Sequence, residues 1–436
     1  MKCYSTNDTA RLFSVGEAIL KSLPDDNGLF MPMEIPRLPD TFFANMHGMT
    51  LQEISLEVAR CYFTPEIPED VLQHIINDAV NFPVPVRPLS ENTYVLELFH
   101  GPTLAFKDMG ARFMARVMSW LNREQQKKLT VLVATSGDTG SAVASGFQDV
   151  EGIEVIILYP SGRVSPLQEK QLTTCGGNIT ALEVKGTFDD CQRIVKTAFL
   201  DKTLNQTYRL TSANSINIAR LIPQAFYYFD ACRQLAGKLP PVFIVPSGNF
   251  GNLTAGLIAV RMGLPVGGFI AANNRNDAVV RYLNGEEFSA VDTVPTISNA
   301  MDVGNPSNFV RMLDLFGHDR ERMKAAVRAY SFSDDETRRA MRECYTNCGY
   351  MMDPHGAVGW LGWERGRSHY PDGTPGVILE TAHPVKFTDV VEDTLGLAPE
   401  IPGSMQEVIK REKTAHLLPA EYSLFLEFMM GRVKGD

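Results

Sequence analysis

Residues 97–108 read ELFHGPTLAFKD, and the chemistry-bearing group in that run is the amine of Lys107. It follows a Gly-Pro turn, is flanked by Leu104, Ala105, Phe106 and Asp108, and stands where a long apolar-periodic stretch begins. A lysine ordinarily keeps its head in water and lays its stem along apolar surface. Two loops elsewhere weigh against that here. VLVATSGDTGSA (131–142) and VFIVPSGNFGNLTAG (242–256) share one design: an apolar strand, a glycine-rich turn with hydroxyl or amide side chains, then a helix. Such joints aim backbone N–H groups and the positive end of a helix dipole at an anion. Gly137, Gly140, Gly248 and Gly251 permit close approach of the backbone. Neither loop matches G-x-x-x-x-G-K-[ST] or G-x-G-x-x-G, so neither a Walker site nor a dinucleotide fingerprint is indicated. Singly each is a common joint of α/β sheets; with a lysine poised before a helix they point to a site. A third stretch, TSANSINIAR (211–220), gathers Ser212, Asn214, Ser215, Asn217 and Arg220. It reads either as a helix-capping cluster or as an anion pocket closed by a guanidinium.

Elements with legible patterns must position these groups. LQEISLEVARCYF (51–63) has helical spacing through Ile54, Val58 and Cys61. The turn-rich LPDDNGLFMP (23–32) precedes it, and the proline-rich FPVPVRPL (82–89) leads out of this mixed N-terminal segment. YVLELF (94–99) predicts a strand. Asp108 is expected to cap a helix on which Met109, Phe113, Val117 and Trp120 form one apolar stripe. Strands at 129–134, 154–159, 179–184 and 208–212 then alternate with helices at 141–147, 166–172 and 189–200. That alternation implies a parallel sheet with right-handed crossovers. A second α/β unit starts at PVFIVP (241–246), continues into a helix at 253–262, and holds the strand GVILE (376–380) running into TAHPVKF (381–387). The expected fold class is α/β, with two open, mostly parallel sheets flanked by helices and a ligand in the cleft between the lobes. The expected segments are an N-terminal extension over 1–95, a small α/β domain over 96–236 and a large α/β domain with the C-terminal segment over 237–436.

Composition narrows the classes. With 44% hydrophobic and 21% charged residues the chain is ordinary globular protein. No apolar run approaches the ~20 residues of a membrane span, so no membrane partner is expected. The N-terminal MKCYSTNDTARLF lacks the apolar core of a signal peptide. Seven cysteines, mostly far apart, form no C-x-x-C pair, and reduced thiols in the cytoplasm are expected. CYTNC (344–348) reads as a buried helical pair. Eight histidines show no i, i+4 pair and no H-E-x-x-H, so no metal site is expected. No G-x-S-x-G elbow suggests a serine hydrolase. A net charge of −10 repels a phosphate backbone, which makes nucleic acid a poor partner. The same field opposes any anionic ligand. Phosphate groups must therefore be held by helix N-termini, backbone N–H groups and a few placed cations.

Taken together, LPDDNGLFMP, ELFHGPTLAFKDMGARF, VATSGDTGSAVASGF, TSANSINIARLIPQ, VPSGNFGN, DPHGAVGW (353–360) and ETAHPVKF (380–387) resemble the pyridoxal-phosphate enzymes of the tryptophan-synthase-β fold. Within them the chain is similar to the threonine synthase family of the longer form, which carries an N-terminal extension. The resemblance runs over most of the chain. GPTLAFKD and TSANSINIAR are specific to it, whereas the glycine-rich loops are shared with serine and threonine dehydratases and cysteine synthases.

The resemblance implies pyridoxal 5'-phosphate as cofactor and Lys107 as its Schiff-base lysine, activated because an amine in an apolar or cationic setting holds its proton less tightly. It implies a cradle for the cofactor phosphate from Ser247, Gly248, Asn249, Phe250, Gly251 and Asn252. Asp138 would stand beside the cofactor's 3-oxygen, where relatives outside this group often carry Asn. Thr381 would face the pyridine nitrogen; a hydroxyl there does not force protonation, and the milder electron sink suits elimination and replacement beyond Cα. Thr135, Ser136 and Thr139 match the substrate loop, and Asn214, Ser215 and Arg220 would hold the substrate's phosphate. The implied reaction takes O-phospho-L-homoserine and water to L-threonine and phosphate. Lys107 would remove the α-proton, phosphate would leave Cγ and water would add at Cβ. A monomer is expected by analogy with long-form relatives. Two other readings stay open: an amino-acid dehydratase or β-replacement enzyme of the same fold, which needs one phosphate pocket only, and a small-molecule sensor that keeps the loops without the chemistry.

Overall fold

The computed structural model describes residues 1–432; the last four positions of the 237–436 segment lie outside the described residues. At the N-terminus, β1 (Lys2–Ser5), β2 (Asp8–Ser14) and β3 (Phe30–Pro32) form an antiparallel sheet in the order β2-β1-β3. The helices Leu51–Phe63 and Glu69–Ala79 follow. Thr50 and Glu53 start the first by a reciprocal capping box, and Ile54, Val58, Leu72 and Ile76 of the pair are fully buried in the main core.

Two larger sheets carry the site. The first contains β4 (Val86–Ser90), β5 (Thr93–Glu97), β10 (Val242–Pro246), β11 (Gly268–Asn273), β12 (Val327–Ser331) and β13 (Gly376–Glu380). Its order is β12-β11-β10-β13-β5-β4, parallel except for β4 against β5. The second contains β6 (Leu129–Ala134), β7 (Ile153–Pro160), β8 (Ile179–Lys185), β9 (Arg209–Ser212) and β14 (His416–Pro419). It is parallel throughout, in the order β14-β8-β7-β6-β9. Every residue of β6, β10 and β13 is buried, because helices cover both faces of these sheets and leave no polar side to alternate with. Sheet membership cuts across the segments 1–95, 96–236 and 237–436: β5 pairs with β13, and β14 returns to β8.

Two local expectations are corrected. Asp108 is not the helix cap. The helix Lys107–Asn122 starts one residue earlier, Phe106 occupies the cap position without a side-chain bond, and the Asp108 carboxylate reaches back to accept from Thr103 N (2.8 Å) and Thr103 Oγ1. The TSGDTG loop is also shorter than expected, since the helix Asp138–Phe147 takes Asp138 into its first turn. CYTNC lies in the helix Asp334–Cys348, with Cys344 buried and Cys348 half-buried. Among the described residues no helix is long and apolar enough to cross a membrane.

The stretches expected to hold cofactor and substrate follow the carboxyl ends of parallel strands. Lys107 comes after β5, Thr135 to Asp138 after β6, Asn214 and Ser215 after β9, Ser247 to Asn252 after β10, and Thr381 after β13. That end is where sheets of this kind hold ligands, because the loops and helix N-termini converge there.

Candidate active site

Beyond β5 the chain turns at residues 101–104 and comes back against the end of β13. Leu98 N donates to Glu380 O (3.0 Å), Phe106 N to Thr381 O (2.9 Å) and His383 N to Leu104 O (3.0 Å), with a bridge between Ala105 and Ala382. Leu104 is held at φ 60°, a left-handed turn that a leucine adopts only under constraint. The hydroxyl of Tyr227 donates to Phe106 O. These bonds fix the start of the Lys107 helix beside Thr381, which is itself buried.

The Lys107 side chain is 15% exposed, and its Nζ lies 3.5 Å from Asp138 Oδ2. Burial pushes its proton affinity down, Asp138 pulls it back up, and the nearby Lys386 and Arg220 push it down again, leaving the amine below the ordinary lysine value. Asp138 stays ionised. Burial opposes its charge, but Lys386 and Lys107, helped by Gln168, hold the carboxyl well below its usual range. Gln168 Nε2 donates to Asp138 Oδ1 (2.9 Å).

Lys386 is the functional residue that sequence reasoning missed. Its side chain is 0% exposed; Nζ lies 2.8 Å from Asp138 Oδ1 and donates to Thr103 O (2.8 Å). The motif ETAHPVKF contains it, but a lysine five positions after Thr381 carries no pattern of its own. The usable signal was Asp138, an acid in a glycine-rich loop with no basic partner nearby in sequence.

The substrate-loop residues divide. Thr135 is buried and braces the loop, its Oγ1 accepting from Gly137 N (3.0 Å) and Gly140 N (2.8 Å). Ser136 and Thr139 are half-buried.

After β10, Ser247 Oγ donates to Val245 O (2.9 Å) and Asn252 Nδ2 to Pro246 O (2.9 Å), tying the loop to its strand. Phe250, at φ 60°, turns the chain into the helix Gly251–Arg261. A Cβ on Gly248 would come 2.6 Å from Met301 Cα, so only glycine fits there. Asn249 bridges two segments: its Nδ2 donates to Ser215 Oγ (2.6 Å), and its Oδ1 accepts from Ser307 N (2.5 Å). The stretches after β9 and β10 therefore form one wall.

That wall has unpaired polar groups. Arg220 is 3% exposed; Nη1 donates to Ala213 O (2.5 Å), Nε has no partner, and among the described residues no carboxylate lies within ion-pair distance. Burial pushes its guanidinium down to about 10, partly offset by Tyr227 and Asp108. Asn214 Oδ1 and Asn308 Nδ2 are also buried without partners. Asn308 Nδ2 lies 3.3 Å from where a Cβ on Gly251 would stand, at the mouth of the helix N-terminus. Buried donors are normally satisfied, so unpaired donors beside a helix N-terminus fit the phosphate of pyridoxal phosphate and a second anion. Arg311, fully buried and also missed from sequence, holds the wall by bonds to Asn308 Oδ1 (2.7 Å), Ile216 O (2.7 Å) and Phe30 O (2.9 Å).

Behind Thr381, Glu380 is fully buried. Its Oε1 accepts from Asp353 N (2.7 Å) and its Oε2 has no partner. A Cβ on Gly356 would fall 1.6 Å from Oε2, while Asp353 Oδ1 caps the helix Pro354–Gly366 at His355 N and Gly356 N. The DPHG stretch thus shapes a pocket for a carboxyl group. Burial, and then the charge of Asp353, raise the Glu380 carboxyl well above the ordinary range. A group whose folded value is raised contributes stability that is full below about pH 4 and lost as pH rises toward that folded value. Glu380→Gln is expected to keep the fold and remove this loss. Thermal melts between pH 5 and 9 should favour the variant increasingly, by up to about 1.4 kcal/mol per pH unit. Parallel pH profiles would show that Glu380 is ionised.

A lysine amine, a neutral hydroxyl and an anion cradle at the carboxyl edge of two facing α/β sheets define a pyridoxal-phosphate-dependent enzyme. The family model described as "Pyridoxal-phosphate dependent enzyme" matches residues 82–381, "Threonine synthase N terminus" matches 2–80 and "Threonine synthase, C-terminal" matches 356–429. Threonine synthase from Serratia marcescens is 41% identical over 433 residues, covering 99% of each chain. The crystal structure of threonine synthase from Escherichia coli superposes with a TM-score of 0.92 at 41% identity, covering 99% of this chain and 100% of that one. The PLP-bound threonine synthase from Brucella melitensis gives a TM-score of 0.92 at 33% identity, with 99% of each chain covered. The chain belongs to the threonine synthase family.

Proposed function

We propose that this enzyme converts O-phospho-L-homoserine and water to L-threonine and phosphate, with pyridoxal phosphate carried on Lys107. The observation that carries the reading is Arg220: a buried guanidinium with an unpaired Nε and no carboxylate, in a chain of net charge −10. Such a group is costly unless an anion completes it. A dehydratase has no second phosphate to place there, and a sensor has no use for an amine with lowered proton affinity.

Bound pyridoxal phosphate supplies an electron sink that acidifies the substrate's carbons. Lys107, buried and with lowered proton affinity, would take the α-proton at Nζ. Ser136 and Thr139 orient the substrate on a loop that Thr135 braces. Arg220 and Asn214 grip the phosphate that leaves Cγ, and the Asn249–Ser215 bond keeps that pocket in register with the cofactor-phosphate cradle of Ser247, Gly248, Asn249, Phe250, Gly251 and Asn252. Thr381 would face the pyridine nitrogen as a neutral partner. We read the protein as cytoplasmic and monomeric. The test is incubation of the cofactor-loaded protein with phosphohomoserine: phosphate and threonine should appear mole for mole. No phosphate from phosphohomoserine, together with conversion of threonine to 2-oxobutanoate and ammonia, would favour the dehydratase.

A further inference from the structure

We propose that Lys386 is a positioning residue that decides which of two buried lysines gives up its proton, by claiming the single carboxylate they share. This rests on the reading of Lys107 as the cofactor lysine. Asp138 is approached by Lys386 and Gln168 at Oδ1 and by Lys107 at Oδ2. One carboxylate balances one ammonium. Lys386 stands closer, at 2.8 Å against 3.5 Å, and has the Thr103 carbonyl as a second acceptor. Lys107 is left as the amine without a full counter-charge, which is the state a nucleophile and proton acceptor needs.

Of the remaining charged and titratable groups nearby, Arg220, from the segment after β9, acts on Lys107; Asp108 is the next residue of the same helix, and the Tyr227 phenol is bonded to Phe106 O. Asp108 is occupied by both donors of Thr103, so it offers Lys107 no competing ion pair. Stability gives no reason for Lys386. An ion pair this deeply buried can usually be replaced by apolar side chains of similar volume at no cost. A lysine retained at zero exposure beside a second lysine is accounted for by charge allocation, and this also supplies the partner that Asp138 lacks in the sequence.

The test is a pH titration of the yellow absorbance of the cofactor-loaded protein, which reports protonation at the Lys107 nitrogen. Lys386→Met leaves Asp138 facing Lys107 alone, so protonation is favoured and the midpoint should rise by roughly one pH unit or more. Asp138→Asn removes the negative charge and should lower it. The double variant should fall between the two, and Lys386→Arg should stay near wild type. A Lys386→Met protein that binds cofactor with an unmoved midpoint overturns the proposal and makes Lys386 a brace for the Thr103 loop. Should Lys386→Met not fold, Asp138→Asn decides: a lowered midpoint supports the proposal, an unchanged or raised one overturns it. Borohydride reduction and peptide mass separate the two layers. An adduct on Lys107 with unmoved midpoints defeats this inference alone; an adduct on another lysine defeats the reading of Lys107 as well.

Discussion

Lys107→Ala is expected to purify without covalently held cofactor and to turn phosphohomoserine over at least about 10²–10⁴-fold more slowly, the range for losing a positioned proton-transfer group. The expectation rests on placement. The Lys107 amine is brought beside Asp138, on a helix start pinned by backbone bonds to Thr381 at the end of β13. The informative comparison is Lys386, the other buried lysine at Asp138. If borohydride fixes the pyridoxyl group on Lys386 in the wild-type protein, the assignment of the nucleophile is wrong.

Arg220→Ala separates the leading function from the dehydratase. The variant should keep its bound cofactor and yellow colour, because the cofactor cradle after β10 draws on glycine backbone and Asn308 rather than on Arg220. It should lose about 2–4 kcal/mol of transition-state stabilisation for phosphohomoserine, the cost of truncating one partner of a buried charged pair, read as kcat/KM. Arg220→Lys should recover part, since an ammonium restores the charge without the planar fork. Arg220→Gln controls for the bond to Ala213 O. An unchanged kcat/KM in Arg220→Ala would remove the substrate phosphate from this wall.

What the sequence allowed to be read divides along physical lines. The helix Leu51–Phe63 was legible to the residue, because a Thr-x-x-Glu capping box precedes a regular apolar stripe. The strands LTVLVA, VFIVP and GVILE were legible as short, mostly apolar runs followed by glycine-rich or polar turns. The N-terminal sheet was not: β3 is buried but only three residues long, and β2 leaves five of its seven residues exposed, so neither shows an alternating pattern. β11 and β12 are short runs, GFIAAN and VRAYS, without a decisive period. At the site, residues within one loop could be grouped from their spacing. Lys386, Asn308 and Arg311 could not, because their partners lie on other segments: Lys386 bonds Thr103, and Arg311 bonds Phe30 and Ile216. The Asp108 cap failed for a related reason. Its chemistry suited a cap, but the buried Thr103 loop offered it two donors and the helix start offered one fewer contact to gain.

β14 has a consequence for how the protein is made. It supplies the last strand beside β8, and the helix Tyr422–Arg432 places Phe425 and Met429 among Leu182, Val184, Ile194 and Ala198. On the ribosome, β6 to β9 emerge long before residues 416–432. Until then β8 is an open strand edge next to an uncovered apolar face, the combination that templates association between nascent chains. The sheet bearing Thr135, Ser136 and Asp138 is therefore sealed by residues 416–432. A ribosome that stalls after residue 400 leaves a chain holding every residue assigned to the chemistry, yet with the β8 edge still open to a neighbouring chain.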